Sequence, residues 1–249
     1  MNSRMTLRSG NPALHSGSFK KYMSQTNVDE EAMSVQGVVN KTGFSLCLLM
    51  LSASTIWMNP EMSGLAILGF FGGLVSALIT IFKPKLGYIT VPIYAISQGL
   101  VLGLISRLLD AQYPGIAVQA IFLTFGTLGS LLLAYMSGLI KATENFKLGV
   151  VAATGGIGVL YLLNFIMGFF GSGIGVIHSN SNFGILFSLG VVIIAALNLV
   201  LDFDYIEQGA DSGAPKFLEW YATFGLLVTL IWLYLEILRL LSKLNSRRG

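Results

Sequence analysis

Phe183-Gly-Ile-Leu-Phe-Ser-Leu-Gly-Val-Val-Ile-Ile-Ala-Ala-Leu-Asn-Leu-Val-Leu201 runs for 19 residues without a charge, and Asn198 is its only amide side chain. At 1.5 Å per residue such a helix approaches the ~20 residues needed to cross the hydrocarbon of a bilayer. It ends on Asp202-Phe-Asp204, an abrupt return to charge. Working outward in both directions, comparable apolar runs recur at 43–58, 64–82, 88–109, 116–136 and 148–170. A last run begins between Lys216 and Ala222 and ends near Lys243. The first run is short, and its helix can begin earlier. These runs predict an all-α polytopic membrane protein with seven transmembrane helices and the lipid bilayer as its surroundings.

Composition agrees with that reading. The chain is 54% hydrophobic and only 11% charged, against roughly 25% charged in ordinary soluble domains, and its mean hydropathy is +0.73. A water-soluble fold does not cover so much apolar surface. The net charge of +3 and pI near 9.0 raise the question of nucleic acid. No basic run is interleaved with aromatics as such binding requires, so nucleic acid is excluded as a partner. The single cysteine, Cys47, lies inside the first apolar run, where it reads as a small core residue. Residues 1–35 are polar, carry Arg4, Arg8, Lys20, Lys21, Asp29, Glu30 and Glu31, and show no cleavable signal sequence. They read as a disordered cytoplasmic tail ahead of one membrane domain over 36–249.

The connections are punctuated as helix ends should be, by Asn59-Pro60, Lys83-Pro84-Lys85, Tyr113-Pro114-Gly115, the stretch 171–182 and the stretch 209–215. Gly69 with Gly73, and Gly99 with Gly103, are small-xxx-small pairs that let helix backbones approach closely in lipid. Arg4, Arg8, Lys20, Lys21, Lys41, Lys83, Lys85, Lys141, Lys147 and Lys216 all fall on one face of a seven-span chain. The positive-inside rule therefore puts the N-terminus in the cytoplasm. The opposite face carries Arg107 and, after the last helix, Lys243, Arg247 and Arg248, a basic C-terminus that is discordant. If they too are cytoplasmic, one span must be re-entrant or interfacial, and 217–224, with Trp220 and Tyr221, is the candidate.

Ionisable chemistry concentrates late in the chain. Six of the twelve carboxylates (Asp202, Asp204, Glu207, Asp211, Glu219, Glu236) lie between residues 202 and 236. Glu236 sits inside an apolar helix, where facing lipid at mid-membrane would cost at least ~2.5 kcal/mol, so it should face protein. Gly225, Thr229, Trp232, Glu236, Arg239 and Lys243 form one helical stripe, and Ser188, Ala195, Asn198 and Asp202 form another. Packed together, these stripes would approximate Asp202 and Glu236. Two carboxylates in a low-dielectric site share a proton and titrate as a coupled pair, which is the chemistry of a pH sensor. Two other arrangements compete. Glu236 can pair with Arg239 one turn on while Asp202 ends its helix at the surface, or Glu219 can be the partner of Asp202. Depth also bears on the matter: Asp202 lies 7 residues before Gly209 and Glu236 lies 20 after Lys216. The two match in depth only if the sixth helix runs on or the stretch 216–224 lies along the interface.

Other chemistries are poorly served, and no enzyme activity and no cofactor is expected. The only histidines are His15 and His178, too few for a hydrolytic metal site. Ser172 has no general base. Asp202-Phe-Asp204 with Asp211 misses the spacing of a calcium-binding helix–loop–helix. No firm metal site is predicted, only a transient cation at Asp202 and Glu236. Lys83 and Lys85 serve as topology anchors, or as a basic partner of the carboxylates if the end of the second span approaches them. Gln98, Asn164 and Asn198 read as packing hydrogen bonds.

Leu201-Asp-Phe-Asp-Tyr-Ile206 and Leu233-Tyr-Leu-Glu-Ile-Leu-Arg-Leu-Leu241, together with Asn11-Pro-Ala-Leu14, Val39-Asn-Lys-Thr42, Ile81-Phe-Lys-Pro-Lys85, Gly138-Leu-Ile-Lys141 and Leu148-Gly-Val-Val-Ala-Ala-Thr-Gly-Gly156, carry a resemblance. The chain resembles the Bax inhibitor-1 family of transmembrane Bax inhibitor motif proteins, in its bacterial Bax inhibitor/YccA-type branch. The resemblance implies two three-helix layers around a central C-terminal helix, in a bacterial cytoplasmic membrane. It also implies a calcium leak gated by pH through a hydrogen-bonded acidic pair. Asp202, or Asp204 in its place, matches the acidic position of the sixth helix and Glu236 that of the last, where the family usually has aspartate. Lys83 or Lys85 matches a basic group near the end of the second helix. A regulator of a partner membrane protease or stress complex, docked through the tail, is the main alternative, and a proton-coupled transporter is the third.

Overall fold

The computed structural model describes residues 32–170, 175, 179 and 181–247. Most of the expected disordered tail, together with His15, His178 and Ser172, lies outside the described residues. Seven helices among the described residues are long and apolar enough to cross a membrane. They are α1 (Val35–Met58), α2 (Leu65–Phe82), α3 (Gly87–Gln112), α4 (Ile116–Met136), α5 (Glu144–Phe169), α6 (Asn182–Asp211) and α7 (Leu218–Ser246). Short 3-10 turns that begin at Pro60 and Pro84 lead into α2 and α3.

Several helices overrun the apolar windows, each through charged residues held by a local device. Ser34 caps α1 by accepting from the Gly37 amide, and α1 starts eight residues before the predicted 43, carrying Lys41 inside it. Thr143 caps α5 through the Phe146 amide, so that Glu144 and Lys147 fall in its first turn. Ser181 caps α6, which continues ten residues past 201 through Asp202, Asp204 and Glu207.

The helices form two layers. α3 packs on both α1 and α2, and α6 packs on both α4 and α5, while α7 runs between the layers against α1, α3, α4 and α6. α7 is the most buried helix of the seven and α5 the least. In lipid the association of such helices depends on close packing, since lipid tails are as apolar as the side chains. The paired glycines provide it: a Cβ on Gly69 would come 2.5 Å from the Ser97 carbonyl, and one on Gly103 would come 2.5 Å from that of Ala53. Gly99 lies flush against Leu49 and Ser52. By contrast, a Cβ on Gly149, Gly155, Gly156 or Gly158 of α5 meets nothing within 4 Å.

Two expectations are corrected here. Cys47 is exposed on α1 rather than a core residue, because the buried face of that helix is Thr42, Ser45, Leu49, Ser52 and Ile56. The stretch 217–224 is not a separate segment: Leu218, Glu219, Tyr221, Ala222, Thr223 and Phe224 are buried in the first turns of the central helix. Of the two rings that suggest an interface, Tyr221 is buried and Trp220 half-buried, and Phe224 packs edge-on against Tyr94 of α3 at 5.0 Å.

Candidate functional site

The carboxylates of the last two helices are held at several levels along the molecule, and basic residues meet them. At the end where α1 and α7 begin, Glu219 is 1% exposed. Its Oε1 accepts from the Ser34 amide at 2.9 Å and from the Ser34 hydroxyl at 3.0 Å. Its other oxygen takes the Lys41 ammonium, which also lies 5.5 Å from the centre of the Trp220 ring. Gly37 lies flush against this carboxylate, so that any side chain there would overlap it. The Met33 amide donates to the Ala214 carbonyl at 2.6 Å, completing the junction.

Beside it, at the same end, Lys147 of α5 sits 2.7 Å from Asp204 of α6 and 3.6 Å from Glu144. Gln208 donates to Asp204, and the Tyr135 hydroxyl donates to Glu207. A cleft of 520 Å³ opens there between Tyr135, Lys141, Thr143, Asp204 and Glu207. Further along α5, Thr154 accepts from the Asn198 amide at 2.8 Å.

In the other half of the molecule Glu236, 1% exposed, accepts from the Tyr161 hydroxyl at 2.9 Å and from Arg239 at 2.9 and 3.0 Å. Arg239 also donates to the Tyr161 hydroxyl at 2.7 Å, and its guanidinium lies 5.2 Å from the ring centre. One turn on, buried Lys243 donates to the Ser188 hydroxyl at 2.8 Å and to the Gly184 carbonyl at 3.1 Å.

That last contact fixes the register of α6 against α7 and decides the fate of the expected pair. Asp202 lies 14 residues from Ser188, whereas Glu236 lies only 7 from Lys243. In antiparallel helices the two carboxylates therefore differ in level by about 7 residues, or roughly 10 Å. Asp202 and Glu236 do not form the expected hydrogen-bonded pair. The sixth helix does run on, but α7 starts at the same end of the molecule, and the added length does not bring the two to one depth. Of the competing arrangements, the Glu236–Arg239 pair is made. The Asp202–Glu219 pair is not, since Glu219 takes Ser34 and Lys41. Asp204 does not substitute for Asp202 either, because it faces α5. Asp202 is fully buried beside Tyr205.

Lys83 is exposed at the end of α2 and Lys85 lies 5.5 Å from the centre of the Phe217 ring, so neither is an ion-pair partner of the described carboxylates. Among the described residues no three of His, Cys, Asp and Glu come together as a metal site. The partners Ser34, Lys41, Lys147, Thr154 and Tyr161 were not singled out by sequence as site residues. In the sequence Lys41 and Lys147 carry only a topology signal, and nothing separates Tyr161 from the other eight tyrosines.

A sequence model of the family described as Bax inhibitor 1 like matches residues 11–246 of the chain. No curated protein and no solved structure matches it.

Proposed function

Because the chain belongs to the Bax inhibitor 1 like family, we propose that it is a passive, pH-sensitive cation leak, with calcium as the permeating ion, in its closed state. The carrying observation is that three buried or half-buried carboxylates on α6 and α7 each hold a basic residue. Glu219 holds Lys41 of α1, Asp204 holds Lys147 of α5, and Glu236 holds Arg239 with Tyr161 of α5. These contacts tie the central helix and its neighbour to both layers. A coupled acidic pair is thereby replaced by a ladder of acid–base contacts, with Asp202 buried between the rungs.

The sign of the pH response follows from the charges. A carboxylate stabilises a facing lysine or arginine only while ionised, so acidification weakens each rung and favours separation of the helices. The groups facing Glu236 are Tyr161, Arg239 and Lys243; those facing Glu219 are Lys41 and Ser34; those facing Asp204 are Lys147, Gln208 and Tyr135. Lys83, Lys85, Lys141, Lys147 and Lys216 share the end from which α1 starts, which supports a cytoplasmic N-terminus.

Liposomes loaded with a calcium dye and holding the purified chain test this reading across a pH series, with Asp202→Asn, Glu219→Gln and Glu236→Gln alongside. Flux should rise on acidification and the glutamine variants should leak at neutral pH. Absent or pH-independent flux would sink the proposal, and saturable, substrate-dependent uptake would identify a transporter instead.

A regulatory role for a partner membrane protein is a second reading, favoured by one contact: the junction of Met33 and Ser34 with Ala214 and Glu219 fastens the end of the N-terminal segment to the central helix. Removal of residues 1–31 should abolish partner binding if this reading holds and leave the leak intact if it does not.

A further inference from the structure

α5 differs from every other helix in how it is held. Its backbone packs on α6, its span is the least buried of the seven, and its glycines Gly149, Gly155, Gly156 and Gly158 face open space. Polar contacts among the described residues fasten it to its neighbours. Two reach α6, at Lys147–Asp204 and Thr154–Asn198, and both lie in the half nearer Glu144. In the half beyond, Tyr161 reaches Glu236 and Arg239 on the central helix. The position of Tyr161 is half-buried, with its ring under the Arg239 guanidinium and its hydroxyl shared between an anion and a cation.

We infer that Tyr161 is the gating pin of α5: it fastens the far half of this helix to α7, and its release lets that half swing from α7 about the contacts at Lys147 and Thr154. The swing opens a passage beside Glu236 on a helix whose small residues offer little packing to resist it. This rests on the leak reading for its physiological meaning, but the movement can be read by itself.

The test uses the full chain with Cys47→Ser, spin-labelled at introduced cysteines and reconstituted in nanodiscs. Leu163 and Leu68 report the end of the molecule where Tyr161 lies, and Leu148 and Leu78 the opposite end; all four are lipid-exposed. Pulsed electron resonance on Tyr161→Phe should show a second, longer distance for the 163–68 pair and an unchanged distribution for the 148–78 pair. Calcium flux in liposomes at neutral pH should rise roughly tenfold, as expected when a closed state loses a hydrogen bond to a charged group. Unchanged distances at both pairs would overturn the inference, as would an equal shift at both. Opening of the 163–68 pair without any flux supports the pin and removes the leak reading. If Tyr161→Phe does not assemble, Arg239→Gln, which removes the other contact of the hydroxyl, is measured in the same way with the same expectations.

Discussion

The Lys41 ammonium meets the Glu219 carboxylate where α1 and α7 both begin, one partner 21% exposed and the other 1%. Two hydrogen bonds from Ser34 complete the shell of the anion. The pair therefore joins a surface-reaching chain to a buried one, and its contribution exceeds that of an open surface ion pair, for which about 0–1 kcal/mol is typical. Glu219→Gln should lower stability by about 2 kcal/mol, and a double-mutant cycle with Lys41→Met should show a coupling of about 1 kcal/mol or more. Thermal unfolding in detergent measures both; a coupling near zero would mean that Ser34 alone holds Glu219.

Lys147 and Asp204 predict an asymmetry. Lys147 is buried, while Asp204 retains some access to solvent and a second donor in Gln208. Asp204→Asn leaves a buried ammonium short of its counter-ion and should cost about 3 kcal/mol, whereas Lys147→Met should cost clearly less. Equal losses in unfolding experiments would refute this account of the contact.

Glycine substitutions should divide by helix. Gly103→Ala forces a methyl group against the Ala53 backbone and should destabilise by about 1–3 kcal/mol. Gly155→Ala and Gly156→Ala meet open space and should be neutral or stabilising by up to about 1 kcal/mol. Melting temperatures of the three variants decide the matter.

Seven spans place the two ends of the membrane domain on opposite sides. In a Cys47→Ser background, Gln36→Cys and Ser246→Cys should react with an impermeant maleimide from opposite faces of oriented vesicles. Labelling from one face would require one of the seven helices not to cross.

The apolar runs made the number of helices legible, because length and hydropathy alone decide what can cross hydrocarbon. The glycine pairs at 69/73 and 99/103 were legible for the same reason of spacing. What misled was charge. Lys41, Lys147 and Asp202 each read as the end of a span, yet each lies inside a helix; for the two lysines a carboxylate on another helix removes the penalty. That partner is a matter of three dimensions. Likewise the stripes on α6 and α7 were read correctly as packing faces, but a stripe gives rotation about the axis and says nothing of the sliding register. The contact of Lys243 with Ser188 carries that register, and it moves Asp202 and Glu236 to different levels.

The most buried helix is also the last of the seven to leave the ribosome. The six before it must enter the bilayer with the core position still vacant, and α1 in particular must wait beside the slot that Glu219 will complete. Until α7 arrives, Lys41, Tyr161 and Ser188 face lipid or one another with no charge or hydroxyl partner from that helix. Assembly of the two layers is therefore a late and concerted event. A chain cut before Leu218 should yield inserted but unassembled helices, a species suited to quality-control proteolysis, rather than a smaller stable bundle.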